Sequence, residues 1–182
     1  MDRKNTCCFT GHREIPAEEH DLLRAKLRGT IRLLYKEGYT GFVTGGAVGF
    51  DTMAAQEVLR LKKLCPNVTL TVVSPFLGQS DNFPPKQKAA FEYIKAQSDE
   101  FIILRSNYQS GCMMERNRKM VDMSSICVAF MKNQSSGTAN TVRYALKNRL
   151  RVINLFVPDD EIEIRRQSHL SRFFEKKLGK KL

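Results

Sequence analysis

Thr44-Gly45-Gly46-Ala47-Val48-Gly49-Phe50-Asp51 follows a short β-rich run at residues 41–44 and opens an amphipathic stretch at 50–64, where Ala54, Val58 and Leu61 share a face. A strand that turns through glycines into a helix is the repeating unit of a parallel sheet. Glycines let main-chain N–H groups approach an anion with no Cβ in the way. The helix start aims the positive end of its dipole at the same place. The octet is therefore expected to cradle a phosphate with Thr44, Gly45, Gly46, Gly49 and Asp51. It is not a Walker A loop, because no Gly-Lys-Ser/Thr follows, and Thr44 stands where GxGxxG has its first glycine. On these residues alone, a tight β–α turn without a ligand is the competing reading.

The same unit recurs on both sides of the octet. Residues 6–10 read as a strand. A helix follows at 17–36, with Leu23, Leu27, Ile31 and Leu34 inward and Gly38 stopping it. Residues 68–74 form a strand ended by Pro75. The 76–83 loop, rich in Gly, Ser, Asp and Asn, is a candidate lid, and Pro84-Pro85 opens a helix to about residue 97. Strands at 101–104, 126–130 and 152–157 alternate with helices at 113–123 and 138–148. From Asp159 on, charges alternate with Ile162, Ile164, Leu170, Phe173 and Phe174, which predicts a C-terminal helix with a basic tail from Lys176. The expected architecture is one α/β domain over residues 1–158, with 159–182 packed on it. Its sheet is Rossmann-like, doubly wound and mostly parallel, with helices on both faces. In such sheets ligands sit beyond the carboxyl ends of the strands.

A chain of 182 residues, 42% hydrophobic and 27% charged, suits one core. No apolar run approaches the roughly 18 residues that span a bilayer, and the amino end is polar with no signal-peptide core, so a cytoplasmic protein without membrane contact is expected. The five cysteines are odd in number and include adjacent Cys7 and Cys8. They form no CxxC pair or zinc-type cluster, which predicts reduced thiols and no metal. Cys112, beside a glycine at a helix start, is the one thiol with a case for reactivity. The net charge of +11 is uneven: residues 105–151 hold nine Lys/Arg against two acids, and the first forty hold eight against six. Such a charge suits a nucleic-acid partner, a phosphorylated small ligand or merely a solvated basic surface, and its excess lies in the second half of the chain, where an anion site is also expected.

Three further turns bear on that partner. In Thr10-Gly11-His12-Arg13, Gly11 frees the backbone while His12 and Arg13 offer an imidazole and a planar fork; an exposed pair capping the turn reads nearly as well. In Ser135-Ser136-Gly137-Thr138, hydroxyls and N–H groups of Ser136, Gly137 and Thr138 precede a helix start, where they would face an anion or serve as N-caps. In Glu115-Arg116-Asn117-Arg118-Lys119, Arg118 and Lys119 would pair with a phosphate or lie on a solvated helix face.

Together these turns resemble the SLOG superfamily, the Rossmann-like proteins that include DprA/Smf and the cytokinin-activating LOG phosphoribohydrolases, and within it the YpsA-like branch. The resemblance spans residues 5–157. Thr44 to Asp51 is similar to the GGGxxG turn of LOG and the Gly-rich turn of DprA, and Thr10 to Arg13 resembles the opening TG motif of YpsA-like members. Arg118-Lys119 precede Gly137-Thr138 by nineteen residues, the interval between an Arg-Lys pair and the PGGxGTxxE motif of LOG. Asn133-Gln134-Ser135 replace that motif's PGG, and Thr141 stands at the position of its catalytic glutamate.

The resemblance implies binding or sensing of a nucleotide-like phosphorylated ligand such as AMP, ADP-ribose or an NAD-related molecule. Gly11, His12, Arg13, Thr44, Gly45, Gly46, Gly49, Asp51, Arg118, Ser136, Gly137, Thr138 and Thr141 would be at the site, and no other cofactor would be required. Threonine lacks the carboxylate that would assist departure of a base. A LOG-like phosphoribohydrolase would need Glu115 or Asp51 in its place. DprA-like binding of single-stranded nucleic acid is a further alternative. Such sites pair basic residues with stacking aromatics, but this chain has no Trp and its aromatics fall mostly at core positions. Self-association also follows from the resemblance.

Overall fold

Cys7 and Phe9 belong to one apolar cluster and Cys8 to another. The same split separates Phe42 from Val43, Leu70 and Val72 from Val73, and Ile126 and Val128 from Cys127. Strands apolar on both sides must be covered on both sides, as in a parallel sheet. The computed structural model describes residues 2–156. Its strands are β1 (Thr6–Gly11), β2 (Gly41–Thr44), β3 (Thr69–Ser74), β4 (Glu100–Ile103), β5 (Ile126–Phe130) and β6 (Arg151–Asn154). They form one sheet in the order β4-β3-β2-β1-β5-β6, with every neighbouring pair parallel.

The connecting helices are α1 (Ala17–Lys36), α2 (Phe50–Lys62), α3 (Pro85–Gln97), α4 (Cys112–Asp122) and α5 (Gly137–Lys147), and a 3-10 turn, Arg3–Asn5, precedes β1. One cluster joins the sheet to Leu27 and Ile31 of α1, Met53 and Val58 of α2, and Phe91 and Ile94 of α3. The other joins it to Met120 and Val121 of α4 and Ala145 of α5. The fold is thus the expected Rossmann-like α/β sheet with helices on both faces. Buried Glu57 of α2 fastens α1 by ion pairs to Arg24 at 3.1 Å and Arg28 at 2.7 Å. Burial alone would raise its carboxyl, but the two guanidiniums hold it below the usual range.

The strands and helices predicted within residues 2–156 are all present, with ends shifted by a few residues for local reasons. The last strand was expected to run to residue 157. It stops at Asn154, whose side-chain amide accepts from Met131 N and donates to Met131 O, each at 3.0 Å. Helix α4 starts at Cys112 because Gly111, at φ +84°, makes the left-handed turn into it. The predicted C-terminal helix and tail at 159–182 lie outside the described residues. All five cysteines are free thiols. Cys112 is only 1% exposed, which removes the case for its reactivity. No helix among the described residues is long and apolar enough to cross a membrane.

The strand order decides where a ligand can sit. The chain leaves β1 through α1 toward β2 on one side and leaves β5 through α5 toward β6 on the other, although β1 and β5 are neighbours. Diverging connections open a crevice beyond the carboxyl ends of these two strands.

Candidate functional site

A cleft of roughly 330 Å³ occupies that crevice. This is the lower end of the range of about 300–1,000 Å³ typical of small-molecule sites. Gly11, His12 and Arg13 border it from β1 and its loop, Ala47 and Asp51 from the glycine turn, Arg116 and Asn117 from α4, and Ser136, Gly137 and Thr138 from the start of α5. Seven residues expected at the site are therefore brought together: Gly11, His12, Arg13, Asp51, Ser136, Gly137 and Thr138.

The glycine turn works differently from the expectation. Its backbone at Gly45 and Ala47 lies against the carboxylate of Asp51 and favours its charged form, and the amide of Gly46 donates to Thr44 Oγ1 at 3.4 Å. The turn thus encloses its own anion, and Thr44, Gly45, Gly46 and Gly49 lie outside the cleft lining. Gly45 is required because a Cβ there would overlap the guanidinium of Arg116. Gly49, at φ +80°, is required because a Cβ there would collide with the backbone carbonyl of Arg13. The glycines seat an arginine and bring the β1 loop close; they do not bare amides toward the cleft.

The motif points to Arg118, but the arginine of α4 that borders the cleft is Arg116. Its side chain is 5% exposed and its Nη1 pairs with Asp51 Oδ2 at 3.1 Å, while its Nε is buried with no hydrogen-bond partner. Burial pushes the guanidinium down against the pull of Asp51, and the like charge of Arg13 pushes the same way. Burial likewise raises the Asp51 carboxyl against Arg116 and the turn amides. Two guanidiniums that repel each other thus border one cleft, and a single carboxylate offsets only one of them.

Helix α5 adds to this field. Ser136 caps it by accepting from the amide of Ala139 at 3.1 Å. The amides of Gly137 and Thr138 belong to the first turn, which has no acceptor within a helix. Ser136 is thus the N-cap its sequence also allowed, and the positive end of the helix faces the cleft.

Thr141 stands one bond behind the lining. Its hydroxyl donates to Gly137 O at 3.0 Å, so it must accept from Asn117 Nδ2 at 2.8 Å. That contact fixes the amide of Asn117 and leaves its Oδ1 as the acceptor end. Arg118 is exposed, with its guanidinium 5.6 Å from the centre of the Tyr144 ring and outside the lining. Glu115 is also outside, bound to Arg105 at 2.7 Å. The 76–83 loop does not border this cleft either; it lines a separate one.

His12 ties the two loops of the crevice. Its Nε2 accepts from the amide of Lys132 at 2.9 Å across 120 residues of sequence, which requires the neutral ring. Burial and then the charge of Lys132 hold its pKa below the ordinary 6.5. A depressed histidine contributes stability present above the unfolded pKa and lost as pH falls through the folded one. Urea denaturation between about pH 7.5 and about pH 5.5 is expected to show a steeper loss for the native chain than for His12→Gln, which cannot titrate. Parallel profiles would contradict the role.

The family model YpsA, described as the YspA SLOG family, matches residues 8–154. The uncharacterized SPbeta prophage-derived protein YoqJ of Bacillus subtilis (strain 168) is 31% identical over 141 residues, covering 70% of this chain and 82% of that protein. A UPF0398 protein of Lysinibacillus sphaericus (strain C3-41) is 31% identical over 78 residues, 43% of this chain and 44% of its own length. DNA processing protein A from Helicobacter pylori, solved for its single-stranded DNA binding mode, superposes with a TM-score of 0.57 at 15% identity, covering 96% of this chain and 80% of that one. The same-named protein (DprA) from Streptococcus pneumoniae gives a TM-score of 0.59 at 18% identity over 85% of this chain and 52% of its own. At these identities the two structures speak for the fold. With the family model spanning most of its length, the chain belongs to the YspA SLOG family.

Proposed function

We propose that the cleft beyond β1 and β5 binds the phosphate of a nucleotide-type ligand. One observation carries this reading: buried Arg116, Arg13 and the first turn of α5 converge on a single cavity at the switch point of the sheet. Arg116 supplies a planar fork with donors to spare after its bond to Asp51. The amides of Gly137 and Thr138 supply the helix-terminus donors. Arg13 closes the site from the exposed side. Asn117, oriented by Thr141, offers its Oδ1 to a ligand hydroxyl or N–H.

Isothermal titration with AMP, ADP-ribose and NAD tests the reading. Binding is expected for at least one of them. Arg13→Ala, on the exposed side, should weaken it about 10- to 100-fold, as befits the loss of one charge-assisted bond of roughly 1.5–3 kcal/mol. Absence of binding at millimolar ligand would overturn the proposal.

Catalysis makes a further demand. Among the described lining residues Asp51 is the one carboxylate, and its Oδ2 already accepts from Arg116 at 3.1 Å. Release of free base in the same samples would give Asp51 a catalytic role.

A second reading has its own support. Beyond Val48 and Gly49 lies a groove of roughly 610 Å³ that shares Arg13 with the cleft and is also bordered by Lys86, His20, Glu14 and Arg24, the last already paired with Glu57. A basic trough running on from a phosphate site suits a nucleic-acid strand, and the Helicobacter pylori neighbour was solved for its single-stranded DNA binding mode. Gel-shift affinity that falls steeply with salt would favour this reading.

A further inference from the structure

The 76–83 segment, expected to be a lid, forms one wall of a second cleft of roughly 300 Å³. Its other walls come from α3 and the ends of β3 and β4. Gln79 is a lining residue and is more than nine-tenths buried. Its Nε2 donates to Gly45 O at 3.0 Å. A carbonyl can only accept, so this bond fixes which end of the amide is which. The opposite end, Oε1, is buried with no hydrogen-bond partner. A buried acceptor left unmade is destabilising, and a donor arriving in the cleft would relieve it.

The rest of the lining indicates what that donor belongs to. Phe76 and Phe101 present half-buried rings. Glu92, which accepts from Ser80 Oγ at 3.0 Å, and Asp81 add carboxylates. Each carboxylate has a lysine partner: Lys88 pairs with Asp81 at 3.7 Å, and Lys95, an exposed side chain, pairs with Glu92 at 3.6 Å and lies over the Phe101 ring at 5.0 Å. This lining is rich in acceptors and aromatic rings, the reverse of the donor-rich cleft at the switch point. We propose that the second cleft binds a planar aromatic molecule bearing an N–H donor, an aminated or amidine-substituted ring, with that N–H on Gln79 Oε1 and the ring against Phe76 and Phe101.

The site is independent of the nucleotide reading, so its test uses no nucleotide. The 15N-labelled full chain is titrated with 2-aminopyridine and with benzamidine. Shifts are expected at the side-chain amide of Gln79, the backbone amide of Gly45 and the amides around Phe101, and should exceed those at Gly137 and Thr138. Gln79→Met should weaken both ligands about tenfold, the loss of one buried hydrogen bond. If that variant does not fold, Glu92→Gln, changed at an exposed position, carries the test. It should weaken benzamidine about threefold through a partly screened charge, with less effect on neutral 2-aminopyridine. Unmoved signals at millimolar ligand, or undiminished binding in the variant used, would overturn the proposal.

Discussion

Replacing Arg116 with methionine is expected to destabilise the fold by about 3–5 kcal/mol and to abolish nucleotide binding. The reason lies in Asp51, which is buried and draws on Arg116 for its counter-charge. Removing the guanidinium leaves a buried carboxylate with no counter-charge, favoured only by the backbone at Gly45 and Ala47. The double variant Arg116→Met with Asp51→Asn should recover much of the stability, because no buried charge is then left unpaired. It should not recover binding. Arg118→Ala, two residues away, should shift stability by about 1 kcal/mol at most through its exposed contact with Tyr144, and should leave binding intact. Chemical denaturation and titration of the four proteins check this. Equal effects of Arg116→Met and Arg118→Ala would show that the site has been assigned to the wrong residue.

Gly49→Ala is expected to cost about 3 kcal/mol or more, the sum of a strained backbone and an overpacked contact. Gly49 sits at φ +80°, ψ −122°, a region that side-chain-bearing residues avoid. The new Cβ would also press on the carbonyl of Arg13. The β1 loop would have to move, taking with it the bond from Phe50 N to His12 O at 3.1 Å and the placement of Arg13. Binding should fall together with stability. Gly29→Ala, within α1 and with nothing near its Cβ position, should be neutral or stabilising by up to about 1 kcal/mol. A Gly49→Ala protein that melts like the native chain would contradict the close approach of the two loops.

The sequence was most legible where the physics is local. Apolar runs at residues 126–130 and 41–44, each bounded by turn residues and followed by amphipathic stretches, fix strand, turn and helix without long-range information. The convergence of the β1 and α5 turns followed from the rule for open parallel sheets. Two things were not legible. That Asp51 would fold back onto the amides of its own turn depends on the path of the chain through Gly46 and Gly49, which composition does not give. The choice between Arg116 and Arg118 turned on which face of α4 meets the sheet. Cys112, Arg116 and Met120 recur at intervals of four and are all buried, so helical periodicity carried a signal for Arg116. The interval shared with the LOG motif points to Arg118 instead.

On the function proposed above, an anion sits between Arg116, Arg13 and the first turn of α5. The most direct test is a crystal structure of the full chain grown with AMP. The phosphate should lie within hydrogen-bond distance of the Arg116 guanidinium and of the Gly137 or Thr138 amide, with Asp51 still held by its own turn. A phosphate bound elsewhere on the chain while this cleft holds only solvent would contradict it.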